Sequence, residues 1–233
     1  MEWLSSALEY LRGANLAATA FRLFLAMLFG GIIGLERGRR RRPAGFRTHI
    51  LVCMGAALAM SISQYVAVTL GQTTDVSRLG AQVINGIGFL GAGTIVVTGS
   101  QQVKGLTTAA GLWSSAIIGL AIGTGYYEAA LIAVALVLFS EIILSKLEYF
   151  IISTARSMNI YVEFSEIENL NAIVDEVKKH NMTIVDVEIT KSRPSQGMRP
   201  SAILALQFKK KIPHENVMTF ISEVPGVTSV EEL

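Results

Sequence analysis

The residues able to do chemistry in the first 150 positions of this chain are few and stand at wide intervals in apolar sequence. Glu36, Arg37, Arg47, Thr48 and His49 lie between two apolar runs. Asp75 and Arg78 precede Gln82 and Asn85, and Thr107 and Thr108 precede Trp113. A polar group in a lipid-spanning segment is costly, so each is a functional candidate on that ground alone. The chemistry open to them is narrow. No nucleophile–base pair, Walker loop or Cys/His zinc spacing occurs, so neither side-chain catalysis nor a cofactor is expected. Octahedral magnesium needs one or two carboxylates with retained waters, and Asp75 is the best-placed carboxylate for that role. His49 reads as a hydrogen-bonded or interfacial histidine before it reads as a metal ligand. Gln82 and Asn85 are three apart and share a helix face. Arg22 reads as an anchor snorkelling outward, and Glu36 as a surface partner of Arg37. Glu141 is expected to face Ser145 and reach Lys146, Trp113 to pack in a core, and Tyr126 and Tyr127 to anchor an interface.

The elements that must hold these residues follow from where charge is missing. No Asp, Glu, Lys or Arg occurs from Thr48 to Thr74, from Leu79 to Val103, or from Gly105 to Tyr127. Each run exceeds the roughly 20 residues a helix needs to cross a bilayer. Apolar runs also extend over 16–35 and 126–145, so five transmembrane helices are predicted at about 17–36, 48–70, 79–98, 106–123 and 127–146. Six arginines among residues 36–47 place that loop in the cytoplasm. The N-terminus is then outside and everything after Lys146 is cytoplasmic. Composition changes at the same point. Residues 1–150 hold 18 of the 38 charged residues and 19 of the 21 glycines, and residues 151–233 hold the other 20 charges. A transmembrane domain at 1–150 and a cytoplasmic domain at 151–233 are predicted. A mean hydropathy of +0.48 excludes a soluble single-domain enzyme, and the near-neutral net charge argues against a nucleic-acid partner.

The glycines of the first domain read as helix-packing residues. Gly30 and Gly34, Gly88 and Ala92, and Gly119 and Gly123 each place two small residues on one face, where helices can approach closely. Gly86-Ile-Gly88-Phe-Leu-Gly91 satisfies a dinucleotide-binding string, but no strand precedes it and no βαβ unit surrounds it. Gly86, Gly88, Gly91 and Gly93 cover more than one face. Either two neighbours pack on this helix, or its backbone opens beside Gln82 and Asn85.

Beyond Lys146 the periodicity becomes that of a small α+β module. Strands are predicted at 160–164, 185–189, 202–208 and 227–231. A helix capped by Ser165 and Glu168 follows the first strand, and another starts at Pro213. The order β-α-β-β-α-β is ferredoxin-like. With its closing Pro225-Gly226-Val227-Thr228-Ser229-Val230 it resembles an ACT-type regulatory domain. That resemblance implies pairing of copies and a ligand at a glycine-bearing first turn. The turn here, Phe164–Ile167, has no glycine, so docking or dimerisation is expected of the module rather than ligand binding.

Several strings then appear in a fixed order. They are Gly30-Gly-Ile-Ile-Gly34-Leu-Glu36-Arg37, Gly45-Phe-Arg47-Thr48-His49, Ser77-Arg78-Leu-Gly-Ala-Gln82, Gly86-Ile-Gly88-Phe-Leu-Gly91-Ala-Gly93-Thr94-Ile95, and Gly105-Leu-Thr107-Thr108-Ala-Ala-Gly-Leu-Trp113. Together they resemble the MgtC/SapB family of bacterial inner-membrane proteins, in its longer MgtC-like form. The sequence has Glu36-Arg37-Gly38 where that family commonly has Glu-Arg-Glu, and Asn85 where a small residue is common. The resemblance implies a non-enzymatic membrane protein that supports magnesium homeostasis, growth in low magnesium and survival inside host cells. It implies action on other membrane complexes, the proton-driven ATP synthase among them, by a protein that pairs with itself. The alternative is a transporter of magnesium, another cation or a small solute along a path lined by the third helix.

Overall fold

A computed structural model of the chain describes residues 9–73, 75–98, 102–153, 155–190, 199–209 and 212–233. It divides into two compact units, Met1–Ile143 and Leu144–Leu233.

The first unit is helical. Asn15 accepts a 2.7 Å hydrogen bond from the Ala18 amide and so caps α1 (Leu16–Arg39), satisfying a donor that would otherwise be orphaned. Then follow α2 (Phe46–Val68), α3 (Ser77–Ala92), α4 (Leu106–Gly123) and α5 (Tyr127–Phe139). After α5 a π-helical turn, Ser140–Leu144, leads into α6 (Ser145–Ser153). Among the described residues, four helical stretches are long and apolar enough to cross a bilayer: α1, α2, α4 and the 27-residue run Tyr127–Ser153. The third predicted helix, 79–98, is corrected. Its helical part is shorter than expected: α3 stops at Ala92 after 16 residues, about 24 Å at 1.5 Å per residue. The Thr94 hydroxyl bonds the Gly91 carbonyl at 2.8 Å, and the β-branched residues after it turn into a short antiparallel pair. In that pair β1 (Val96–Val97) meets β2 (Val103–Lys104). Gly105, at φ +102°, supplies the left-handed turn into α4. The tip of the expected 99–105 loop, residues 99–101, lies outside the described residues.

Close packing centres on α2, which lies between α1 and α4. A Cβ on Gly30 would sit 2.6 Å from the His49 carbonyl oxygen, and one on Gly34 would sit 2.7 Å from the Phe46 Cα. On the other side a Cβ on Gly119 would run into the Cys53 carbonyl, and one on Gly123 would sit 2.5 Å from the Ala57 carbonyl. Both pairs act as their spacing predicts. The Gly88–Ala92 pair does not, because nothing lies within 4 Å of a Cβ on Gly88. The outward anchor expected of Arg22 is also corrected. Its guanidinium is 1% exposed and donates inward to Gln64 Oε1 at 2.7 Å and to the carbonyls of Gly123, Arg12 and Gly13 at 3.0, 2.9 and 3.1 Å. It ties the N-terminal leader and the α4–α5 turn to α2.

The second unit has the predicted order: β3 (Ser157–Phe164), α7 (Asn169–Lys179), β4 (Met182–Thr190), β5 (Ser201–Phe208), α8 (His214–Ser222) and β6 (Val227–Glu232). All pairings are antiparallel and the sheet order is β4-β5-β3-β6, the ferredoxin-like arrangement. Alternate residues Ile160, Val162 and Phe164 of β3 and Leu204, Leu206 and Phe208 of β5 are buried with Ile173, Val177, Val217 and Ile221 of the two helices. The capping box expected at Ser165–Glu168 does not form. Ser165 N instead donates to the Gly226 carbonyl at 2.9 Å, and α7 begins four residues later than Ser165.

Candidate functional site

Two places in the helical unit collect the polar residues. The first lies where the α1 C-terminus, the α2 and α4 N-termini and the π turn after α5 converge. Arg37, 3% exposed, donates from Nη2 to Thr108 Oγ1 at 3.1 Å, and its Nη1 lies 3.6 Å from Glu141 Oε1. Glu36 pairs with Arg40, the residue that caps the end of α1, and not with Arg37 as expected, and it also contacts the Glu141 carboxyl. Two arginines and two carboxyl groups thereby meet at this end of the bundle. Low-dielectric surroundings make such contacts strong and make loss of one member costly. Glu141 therefore does not run toward Lys146 as expected. The π turn at Ser140–Leu144 carries it and turns it inward, and such turns recur where function needs a side chain re-aimed.

His49 is fully buried beside this group, in the first turn of α2. Its Nδ1 lies 3.0 Å from the Gly45 carbonyl. A carbonyl only accepts, so Nδ1 carries a hydrogen and the neutral ring presents a lone pair at Nε2. That Nε2 is buried without a hydrogen-bond partner, as are Glu36 Oε2, Arg37 Nε and Ser115 Oγ. Gly111 lies on the facing turn of α4. A Cβ placed there would sit 3.3 Å from Glu141 Oε1 and 3.6 Å from His49 Nε2. Ser115, fully buried, stands one turn further along α4.

The second place is the outer face of α3. Gln82, Asn85, Gly86 and Gly88 are all exposed, and Phe89 is 84% exposed. Nothing lies within 4 Å of a Cβ on Gly86 or Gly88, and Gly93 meets only carbonyls of its own helix. Of the four glycines, Gly91 alone faces a neighbouring helix, with a Cβ position 3.5 Å from Ala109 Cβ. Close packing inside the chain thus explains Gly91 and leaves Gly86 and Gly88 to some other cause.

The remaining sequence candidates are scattered. Asp75 Oδ1 accepts from Ser77 N at 2.8 Å and from Ser77 Oγ at 2.6 Å, ordering the entry to α3. Those hydrogen bonds hold its carboxyl below the usual range. Arg78 and Arg47 are exposed, Thr48 is half-buried, Thr107 is exposed, and Thr94 serves the turn after α3. Trp113 is 49% exposed, so it does not pack in a core as expected: α4 turns its small residues toward α2 and leaves the indole on the opposite side. Tyr127 is part-buried and donates to the Leu11 carbonyl at 2.6 Å. Among the described residues, no three His, Cys, Asp or Glu side chains converge as a metal-binding group. Sequence reasoning missed Ser115, although its place between Gly111 and Gly119 on one face was readable, and misdirected Glu141.

Comparison with known proteins places this geometry. A sequence model described as the MgtC family matches residues 23–150. An Escherichia coli K12 protein, YhiD, named as a candidate magnesium transporter, is 49% identical over 111 residues, covering 46% of this chain and 51% of its own. Protein MgtC of Salmonella typhimurium LT2 is 44% identical over 122 residues, 52% of this chain and 50% of that one. An uncharacterised Haemophilus influenzae protein is 42% identical over 124 residues, 51% and 52% of the two chains. The chain spans about half the length of the curated relatives it matches.

Proposed function

Because the chain belongs to the MgtC family, an inner-membrane family, we propose that it supports magnesium homeostasis and growth in low magnesium without catalysing a reaction. It does so by contact with other membrane complexes, the proton-driven ATP synthase being one candidate, and as a homodimer. The observation that carries this reading is the outer face of α3. Gln82, Asn85 and Gly86 stand there together, and the missing side chain of Gly86 answers to no neighbour in the chain. Side-chain amides both donate and accept, so two copies of this face can pair with each other, and glycine lets backbones approach. A role in survival inside host cells belongs to the same proposal.

The second reading, a magnesium, cation or small-solute transporter, is favoured by the name of YhiD and by the same face, which two copies would turn toward a shared path. Mutation of Asn85 bears on both. Interhelical hydrogen bonds in membranes average only about 0.6 kcal/mol, so Asn85→Ala should leave the protein folded and at wild-type abundance. It should nevertheless lose support of growth in low magnesium. Membrane immunoblots paired with growth complementation measure this, and wild-type growth of Asn85→Ala would move the functional surface away from α3. With cysteine at Gly86, oxidation in membranes should cross-link two copies, whereas cysteine at Trp113 on α4 should not.

Orientation is part of the proposal. Arg39, Arg41, Arg42 and Arg47 are exposed at the end of the bundle that holds Glu141, which supports a cytoplasmic position for that end and for the second unit. A cysteine placed just after Lys146 should resist impermeant thiol reagents in intact spheroplasts and react once they are lysed. Labelling before lysis would invert the scheme.

A further inference from the structure

The arginines of residues 36–47 divide into two sets. Arg37 and Arg40 are matched with Glu141 and Glu36. Arg39, Arg41, Arg42 and Arg47 are exposed, and none of them forms an ion pair with a described carboxylate. The turn that carries them is closed. Arg42 N donates to the Arg37 carbonyl at 3.1 Å, and a Cβ on Gly45 would lie 3.8 Å from the Gly38 Cα. Uncompensated positive charge is thus collected on one tight hairpin between α1 and α2. Arg41 stands there under backbone strain. Its φ is +53°, the left-handed position just past a helix end that glycine usually fills. Among the described residues its side chain has no partner to offset that strain, so its use lies outside the chain.

Polarity changes abruptly along both helices. On α1, Ile32, Leu35 and Arg39 share one face at positions i, i+3 and i+7, and all three are exposed. On α2, Arg47 stands one turn before Leu51, which is 69% exposed. α1 and α2 are both long and apolar enough to span, so these exposed apolar side chains face acyl chains, and each stripe meets an arginine at the same end of the bundle. A phospholipid has the same layering, hydrocarbon and then phosphate. Guanidinium groups take phosphate oxygens in paired hydrogen bonds. A zwitterionic headgroup cancels its phosphate with its own amine, whereas an anionic one does not, and unpaired cations suit the second. Basic clusters where a span leaves the bilayer recognise such lipids.

We propose that the α1–α2 hairpin is a binding site for an anionic phospholipid, with the phosphate held by Arg39, Arg41, Arg42 and Arg47 and the acyl chains along the exposed apolar residues of the two helices. Arg37 and Arg40 take no part, because Glu141 and Glu36 already engage them, so the site is separate from the buried cluster. It does not depend on which side of the bilayer this end faces.

The test is native mass spectrometry of the full chain in detergent, titrated with dioleoyl phosphatidylglycerol and, separately, with dioleoyl phosphatidylcholine. The wild type should bind the anionic lipid about tenfold more tightly or better. Arg39→Gln, Arg41→Gln and Arg42→Gln combined should weaken it about a hundredfold, at about fivefold per arginine. Arg39→Lys, Arg41→Lys and Arg42→Lys combined should keep most of the affinity. Arg41→Gly separates binding from folding. It relieves the left-handed backbone, so it should melt no lower than wild type in lipid-free detergent, yet bind phosphatidylglycerol about fivefold more weakly. Arg78→Gln, at an exposed arginine in the first turn of α3, should bind as wild type does. Thermal melts establish that each variant is folded. No preference for the anionic lipid in the wild type would overturn the proposal. So would unchanged affinity in Arg41→Gly or in the folded triple glutamine variant, or equal weakening in Arg78→Gln. Displacement of the lipid by millimolar inorganic phosphate would overturn it too, by assigning the arginines to a soluble anion.

Discussion

Leucine in place of Gly119 should all but remove the protein from membranes. A single Cβ there would already run into the Cys53 carbonyl and sit 2.9 Å from Ala56 Cβ, and both neighbours belong to a helix held from its other side by α1. α2 cannot retreat, because Gly30 and Gly34 are seated against its His49 and Phe46 backbone. Overpacking a core usually costs about 1–3 kcal/mol, and a forced backbone shift of two helices puts this change at or beyond the upper end. Gly88→Leu is the matched control, since open space surrounds that Cβ position. Membrane immunoblots should show Gly119→Leu nearly absent and Gly88→Leu at wild-type level. Equal abundance of the two would mean that α2 is not clamped between α1 and α4.

The second large effect is expected at Arg37. Arg37→Met removes the guanidinium that holds Thr108 and faces Glu141, leaving a buried carboxylate with less compensation. Breaking a buried pair from one side costs about 3–5 kcal/mol, while replacing both members by apolar groups is often close to neutral. The single variant should therefore lose most of its abundance and melt at a lower temperature in detergent. Arg37→Met with Glu141→Met should recover much of the loss. A single variant as stable as wild type would show that the cluster carries no such strain, and a double variant worse than the single would assign the charges a structural role that packing cannot replace.

What could be read from the sequence was what repeats. Gly30–Gly34 and Gly119–Gly123 were legible because four-residue spacing returns to the same helix face whatever the helix packs against. The β-α-β-β-α-β order was legible because Ile160, Val162 and Phe164, and later Ala202 to Phe208, alternate with period two. Single departures from regularity were not legible. The π turn at Ser140–Leu144 inserts a residue into the helical phase, about 100° of rotation, and moves Glu141 from an expected outward path into the bundle. No residue type signals that insertion. Arg22 was misread because its partners are the backbone carbonyls of Arg12, Gly13 and Gly123, which every sequence possesses. The capping box at Ser165 failed for a long-range reason: the Gly226 turn reaches its amide first. The end of α3 at Ala92 is a competition between an apolar run long enough to span and a local β-branched segment that prefers a turn and a strand pair. In the polar site, His49, Thr108, Glu36 and Arg37 were singled out individually, and their convergence depended on three helix crossings that only the fold supplies.

We propose that this protein supports magnesium homeostasis by contact and not by carrying the ion. The most direct measurement is magnesium entry into liposomes containing the purified full chain and a trapped magnesium-sensitive dye, driven by a magnesium gradient, with and without an imposed pH gradient. The same coding sequence is scored in parallel for growth complementation. The expected result is entry no faster than into protein-free liposomes, from a chain that restores growth in low magnesium. Protein-dependent entry that saturates with magnesium and is lost in Asn85→Ala would contradict the claim and establish the transport reading.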